Sequence, residues 1–354
     1  MRVAGEGAAS VRVDRARAAL VALLAISALA GSHGGEAAPR PPRRTVVVVP
    51  GVTGVELVDS ASGEIVWGRG GNLLGPADGG YRLALPIVEG ASAGTRPGRA
   101  IERVALGPIG KPVYAPVARR FERAGWTRGD LTRPDGGGDL FFFAYDWRRD
   151  NSEAARRLAR QLGLLAGSRG GRLAVSLVCQ SNGAHICRYL LKYGDVALEE
   201  AENGVRSPQE AMAVEQVEIV GTANGGSLRI LRQLNRTRRY VPAAGRAFHP
   251  EVFFTYESLY QELPTYRSDL FVDEGGAALS VDVWDVADWE RYGWSIFAPE
   301  VAERTARRPD LFGDRARQRE FLRRALDRGR RLQALLERDV DVGRTRYHSI
   351  QNRS

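Results

Sequence analysis

Leu173-Ala174-Val175-Ser176-Leu177-Val178-Cys179-Gln180-Ser181-Asn182-Gly183 decides the fold, because an apolar run ends at a serine and passes directly into the helix-compatible Ala184-His185-Ile186-Cys187. The pattern predicts strand, tight turn and helix, with residue 181 at the tip. Cys179 and Gly183, two places either side of the serine, are small. A sharp bend requires that, since bulky neighbours would collide between strand and helix. The hydroxyl is then presented beside a helix N-terminus, where unpaired amides favour negative charge. Ser181 is therefore a candidate nucleophile. The usual G-x-S-x-G pattern has glycine where this chain has Cys179, and on the pentapeptide alone a chance serine in a strand-to-helix turn is the alternative.

Outward from this turn, Thr45-Val46-Val47-Val48-Val49 is a continuous β-branched run broken by Pro50-Gly51. It predicts a buried parallel strand ending in a tight loop. Leu140 to Ala144 and Val214 to Val220 have the same character. Helical patterns lie between the strands at Val113 to Arg123, Ser152 to Leu165 and Gly183 to Lys192. Strands that alternate with helices and are apolar throughout predict an α/β fold, a mostly parallel sheet with helices on both faces. A long helix is expected from Arg315 to Arg338 and a short last strand from Arg346 to Gln351. The loop Pro50-Gly51-Val52-Thr53-Gly54 follows an early strand, so the backbone amides of Val52 and Asn182 are the expected oxyanion donors.

Two stretches interrupt the alternation, residues 56–112 and 227–299. The second is crowded with aromatics: Phe253, Phe254, Tyr256, Tyr260, Tyr266, Phe271, Trp284, Trp289, Tyr292, Trp294 and Phe297. Either a cap over an apolar substrate or the cap's own core would use them, and packing is the commoner use of large aromatics.

At the N-terminus, Arg2, Arg12, Arg15 and Arg17 precede an apolar run from Ala18 to Ala30 that is short for a membrane span and closes in Ala28-Leu29-Ala30. Residues 1–30 are expected to be a secretory signal peptide and 31–43 a linker, with one domain over 44–354; an uncleaved anchor helix is the alternative. This places the mature chain outside the cell or in the periplasm. The formal charge of +9 resides at the ends. Residues 1–30 carry a net +2 and Val301 to Ser354 a net +7, which leaves the body near zero. The basic tail could favour anionic lipid surfaces, although an Arg-heavy composition with only Lys111 and Lys192 as lysines accounts for much of it. The arginines lie on a helical pattern without interleaved stacking aromatics, which argues against nucleic acid. Cys179 and Cys187 are the only cysteines. One ends a strand and the other lies two turns into the next helix, so they are expected to be too far apart to bridge, two buried small hydrophobes. The four histidines, His33, His185, His249 and His348, have no ligand spacing, and neither a metal nor another cofactor is implied.

Taken together, Val48-Val49-Pro50-Gly51, Ala144-Tyr145-Asp146-Trp147-Arg148-Arg149, the turn at Ser181 and Ile219-Val220-Gly221-Thr222-Ala223-Asn224-Gly225-Gly226-Ser227 resemble the lecithin:cholesterol acyltransferase family, which includes phospholipid:diacylglycerol acyltransferases and lysosomal phospholipases. Tyr260-Gln261-Glu262-Leu263-Pro264 and Trp289-Glu290-Arg291-Tyr292-Gly293-Trp294 look like cap elements of bacterial relatives. The resemblance runs from about Arg44 to Gln351, and the Tyr145-Asp146-Trp147-Arg148 block is its most specific part. It implies an α/β-hydrolase fold with an inserted cap, a Ser181 acyl-enzyme, the Val52 and Asn182 amides as oxyanion hole, and glycerolipid esters as acyl donors at a lipid or membrane surface. Asp146 and Arg148 look structural by the same likeness.

In that family the nucleophile is followed along the chain by Asp and then His, on loops after late strands. Arg346 to Gln351 looks like the strand that precedes the Asp loop, so both partners are expected to be missing from this chain. His185 is expected along the flank of the helix behind Ser181, His249 in the cap, His348 within a strand, and Asp339 and Asp341 at that strand's wrong end. Three readings follow: a lipid acyltransferase or phospholipase lacking triad partners, a non-catalytic lipid-binding protein, and a generic esterase on soluble esters.

Overall fold

The computed structural model describes residues 44–69, 76–106, 109–133, 135–207, 212–239, 247–265 and 270–350, besides Arg2–Val3. The expected signal peptide and linker, and Tyr266, otherwise lie outside the described residues. The chain divides into two compact units.

The first contains Gly94–Thr222, Ala334–Ser354 and the described part of Ala16–Leu73. Its centre is a five-stranded sheet of β1 (Thr45–Val49), β2 (Leu140–Phe142), β3 (Leu173–Gln180), β4 (Met212–Val220) and β5 (Arg346–Ile350). Neighbours run in the order β2-β1-β3-β4-β5, and every pairing is parallel. The expected α/β class is therefore the observed one. All five residues of β1 are buried, which is why its sequence shows a continuous β-branched run and no alternation.

Helix α1 (Ala115–Arg123) covers one face, where Val117 and the preceding Tyr114 join Val46, Val48, Leu140 and Val178 in a core cluster. Helices α2 (Asn151–Ser168) and α3 (Gly183–Tyr193) follow β2 and β3. The Asp150 side chain caps α2, accepting from the backbone N–H groups of Ser152 and Glu153. Ala155, Leu158, Leu162, Leu165 and Ala166 of α2 are buried, the stripe that the 3.6-residue spacing requires. Helix α3 is buried nearly all round and ends at Gly194, whose φ of 68° ordinary residues rarely adopt. Val55–Asp59 pairs antiparallel with Ile65–Trp67 and with Thr95–Ala100, giving a small separate sheet from strand-like pieces of the first interruption.

The cysteines correct the sequence-based expectation. Cys179 and Cys187 form a disulfide, with their Cα atoms 6.5 Å apart. The distance falls within bridging range because the chain reverses at residue 181 and lays the first turns of α3 beside the end of β3. Val178 faces the α1 side, so its neighbour Cys179 faces α3 on the other.

The second unit contains the described parts of Leu74–Ala93 and Ala223–Gln333, together with Arg2–Val3, which pairs antiparallel with Phe271–Val272. Phe253, Phe254, Tyr256, Tyr260, Phe271, Trp289 and Trp294 are buried within it, so packing accounts for most of its aromatics. Glu251, fully buried, accepts from the Tyr81 hydroxyl (2.6 Å) and from the Arg304 guanidinium (2.7 Å). This network joins Leu74–Ala93 to the rest of the unit. The helix Arg315–Glu337 begins here and gives its last turn to the sheet-bearing unit. There Arg188 and Lys192 of α3 donate to the Leu336 carbonyl, and the Tyr193 hydroxyl donates to that of Leu335. Among the described residues no helix is long and apolar enough to cross a membrane.

Candidate active site

Strand order reverses between β1 and β3, and the crevice beyond the carboxyl ends of two such strands is where open α/β sheets bind ligands. β1 ends at Val49 and β3 at Gln180, so the loop from Pro50 and the turn at Ser181 meet at that point. Ser181 has φ 53°, the left-handed region that non-glycine residues avoid, and α3 starts two residues later. A residue in this region persists only where its surroundings over-determine the backbone. Its neighbours explain how it persists. The Ser181 N–H donates to the Val220 carbonyl (3.0 Å), and the Thr222 hydroxyl donates to the Ser181 carbonyl (2.9 Å). A side-chain carbon on Gly183 would lie 2.4 Å from the Val49 carbonyl oxygen, so only glycine fits there.

The loop after β1 approaches just as closely. A side-chain carbon on Gly51 would sit 2.9 Å from the Ser181 Cβ. Thr53, at φ 67°, bends the loop further. The backbone N–H groups of Val52 and Asn182 have no acceptor among the described residues. Asn182 is itself buried, while Val52 is partly exposed. The three residues named from sequence are thus brought to one end of the sheet.

Sequence reading missed the side chains behind them. Gly51 N–H donates to Gln180 Oε1 (3.0 Å) and to the Tyr114 hydroxyl (3.1 Å), which in turn donates to Gln180 Oε1 (2.5 Å). The Tyr145 hydroxyl donates to the Pro50 carbonyl (2.7 Å). Asn182 and Asn151 exchange side-chain amide hydrogen bonds of 2.7 and 2.8 Å. The signal available was the position of Gln180 and Asn182 on either side of the serine; their partners are distant in the chain and carry no local pattern.

The block Tyr145-Asp146-Trp147-Arg148 is anchored residue by residue. Buried Arg148 makes two charge-assisted bonds to Asp146 (2.8 and 2.7 Å) and one to the Thr95 hydroxyl (2.5 Å). Trp147 Nε1 donates to the Val55 carbonyl (2.9 Å) and its ring packs edge-on against Trp67. Asp146 is thereby committed to Arg148.

No histidine or carboxylate is hydrogen-bonded to Ser181 Oγ among the described residues. His185 lies in the interior of α3, its Nδ1 without a partner among the described residues; burial, with a smaller push from the Arg188 charge, drives its pKa down to about 3. His348 on β5 stands opposite Glu218 on β4, with Nδ1 2.6 Å from Glu218 Oε1, and is half exposed. His249 belongs to the other unit, and His33 lies outside the described residues. No group of three or more His, Cys, Asp or Glu side chains among the described residues could hold a metal ion.

No protein-family model matches the chain, and no curated protein matches it. Among solved structures it is similar to a chain of the crystal structure of the Tle4–Tli4 complex, with a TM-score of 0.49 and 13% identity over 83% of this chain and 72% of that one.

Proposed function

We propose that this chain is a serine-dependent lipid esterase or acyltransferase, with Ser181 as nucleophile and the Val52 and Asn182 amides as oxyanion donors. One observation carries the reading: a serine held at φ 53° between strand and helix, with the loop bearing Val52 against it at the sheet's switch point. Attack of Ser181 Oγ on an ester carbonyl forms a tetrahedral oxyanion, which the two N–H groups would bind; expulsion of the alcohol leaves an acyl-enzyme. Water then completes a hydrolysis, or a second alcohol completes a transfer. The Oγ proton has to pass to the departing alkoxide oxygen, which leaves as the alcohol, and no side chain among the described residues is bonded to Oγ to relay it, so the rate expected is that of an oxyanion hole working with little help. The lipid character of the substrate is supported by the motif resemblance to lecithin:cholesterol acyltransferases. A secreted or periplasmic location is supported by the disulfide, which an oxidising compartment allows.

The second reading, a lipid-binding protein without catalysis, is favoured by that same unassisted hydroxyl. Fatty-acid release from mixed phospholipid vesicles by the wild-type chain and by Ser181→Ala separates the two. Release by the wild type alone supports the enzyme. Equal vesicle binding with no release from either supports the binding protein.

A further inference from the structure

The two oxyanion donors lie on different elements, Val52 on the loop after β1 and Asn182 at the start of α3, so their spacing depends on whatever ties loop to helix. We propose that Tyr145 is that tie, a positioning residue that sets both donors through one hydroxyl, with Gln180 holding the opposite end of the same peptide group. The inference rests on the reading of Ser181 as nucleophile and extends it to residues outside the reacting groups.

The peptide between Pro50 and Gly51 is gripped at both ends. Its carbonyl accepts from the Tyr145 hydroxyl at 2.7 Å, and its N–H donates to Gln180 Oε1 at 3.0 Å and to the Tyr114 hydroxyl at 3.1 Å. Rotation of this peptide would break all three bonds at once. The next peptide supplies the Val52 N–H, and its only free joint to the gripped one is Gly51, a residue that could otherwise swing widely. The second peptide is held at its own carbonyl, Gly51 O, which accepts from the Gly54 N–H at 3.0 Å, so with the first peptide clamped both sides of the Gly51 joint are fixed and the direction of the Val52 N–H is set.

On its other side the Tyr145 hydroxyl accepts from Asn182 Nδ2 at 3.3 Å. The second Nδ2 hydrogen goes to Asn151 Oδ1, and Asn151 Nδ2 returns a bond to Asn182 Oδ1. The tyrosine's one hydroxyl hydrogen and both hydrogens of the Asn182 amide are used. The residue that offers the second oxyanion N–H is thereby anchored to α2 and to the loop. Tyr145 is itself immobile, 1% exposed and stacked on Phe143 with ring centroids 5.5 Å apart. Gln180 immediately precedes the nucleophile, so any displacement of the bend is carried to the loop by the same side chain.

The test is the kinetics of fluorophosphonate labelling of the full chain, separated into the limiting rate and the half-saturating probe concentration, with Tyr145→Phe against wild type and exposed Tyr347→Phe as control. The expected result is a limiting rate about 10- to 100-fold lower in Tyr145→Phe, a fraction of what losing a whole oxyanion donor costs. Half-saturation and the final extent of labelling stay unchanged. A role in folding alone would lower the final extent and leave the rate of the folded fraction intact, which overturns the proposal, as does a rate within twofold of wild type. If Tyr145→Phe does not fold, Gln180→Met releases the N–H end of the same peptide and must show the same loss of rate. Absence of Ser181 labelling in the wild type would instead remove the nucleophile and the clamp with it, a distinct outcome.

Discussion

Gly183 and Val49 meet at backbone distance: a methyl group on Gly183 would lie 2.4 Å from the Val49 carbonyl oxygen. Strand β1 and the first turn of α3 can therefore be this close only with hydrogen as the side chain. Gly183→Ala should cost about 1–3 kcal/mol, the usual range for a forced shift in a packed interior. Urea denaturation measures it, and the same variant should lose labelling at Ser181 because the shift falls on the bend itself.

The disulfide closes a short loop that contains the whole bend. Replacing both Cys179 and Cys187 with alanine should cost about 2–3 kcal/mol on the chain-entropy account of a loop of this length. Both sulfurs are completely buried, so a mild reductant should leave the bond intact until the protein unfolds. Thiol titration after reductant treatment and its removal should then count no thiols when the treatment is native and two when it is in guanidinium.

Arg148 is 0% exposed and spends its guanidinium on Asp146 and Thr95. Arg148→Met strands a nearly buried carboxylate and should destabilise by about 3–5 kcal/mol, whereas Arg148→Met combined with Asp146→Asn should recover part of that. Thermal melts of the two variants decide it. A catalytic Asp146 would instead give a stable, inactive Asp146→Asn protein.

His185 stays neutral in the folded state down to about pH 3, while in the unfolded chain it takes up a proton near 6.5. Its contribution is fully present above about pH 6.5, and stability falls as pH drops toward 3, because only the unfolded state gains the proton. The slope approaches about 1.4 kcal/mol per pH unit for one such site. Unfolding curves between pH 7 and 4 should show this slope reduced in His185→Leu.

The strands and the bend were legible because each is written locally. β1 is a run of five buried residues, and Ser181 sits between two small ones at a change of hydrophobic period. Helix limits followed to within a few residues: α2 was expected over Ser152 to Leu165 and spans Asn151–Ser168, with Asp150 as the actual cap. The disulfide is hidden from the sequence because α3 starts only at Gly183, which leaves Cys187 little more than one turn into the helix, and the reversal at φ 53° lays that turn back along β3. The clamp on the Pro50–Gly51 peptide could not be read at all. Tyr114, Tyr145 and Gln180 lie far apart in sequence and converge only when β1 is inserted between β2 and β3.

The measurement that bears most directly on this account is intact-mass and peptide mapping of the purified chain after reaction with a fluorophosphonate. One adduct, carried by the peptide containing Ser181 and absent in Ser181→Ala, is the predicted result. Equal modification of both proteins, or an adduct elsewhere in the chain, would contradict it.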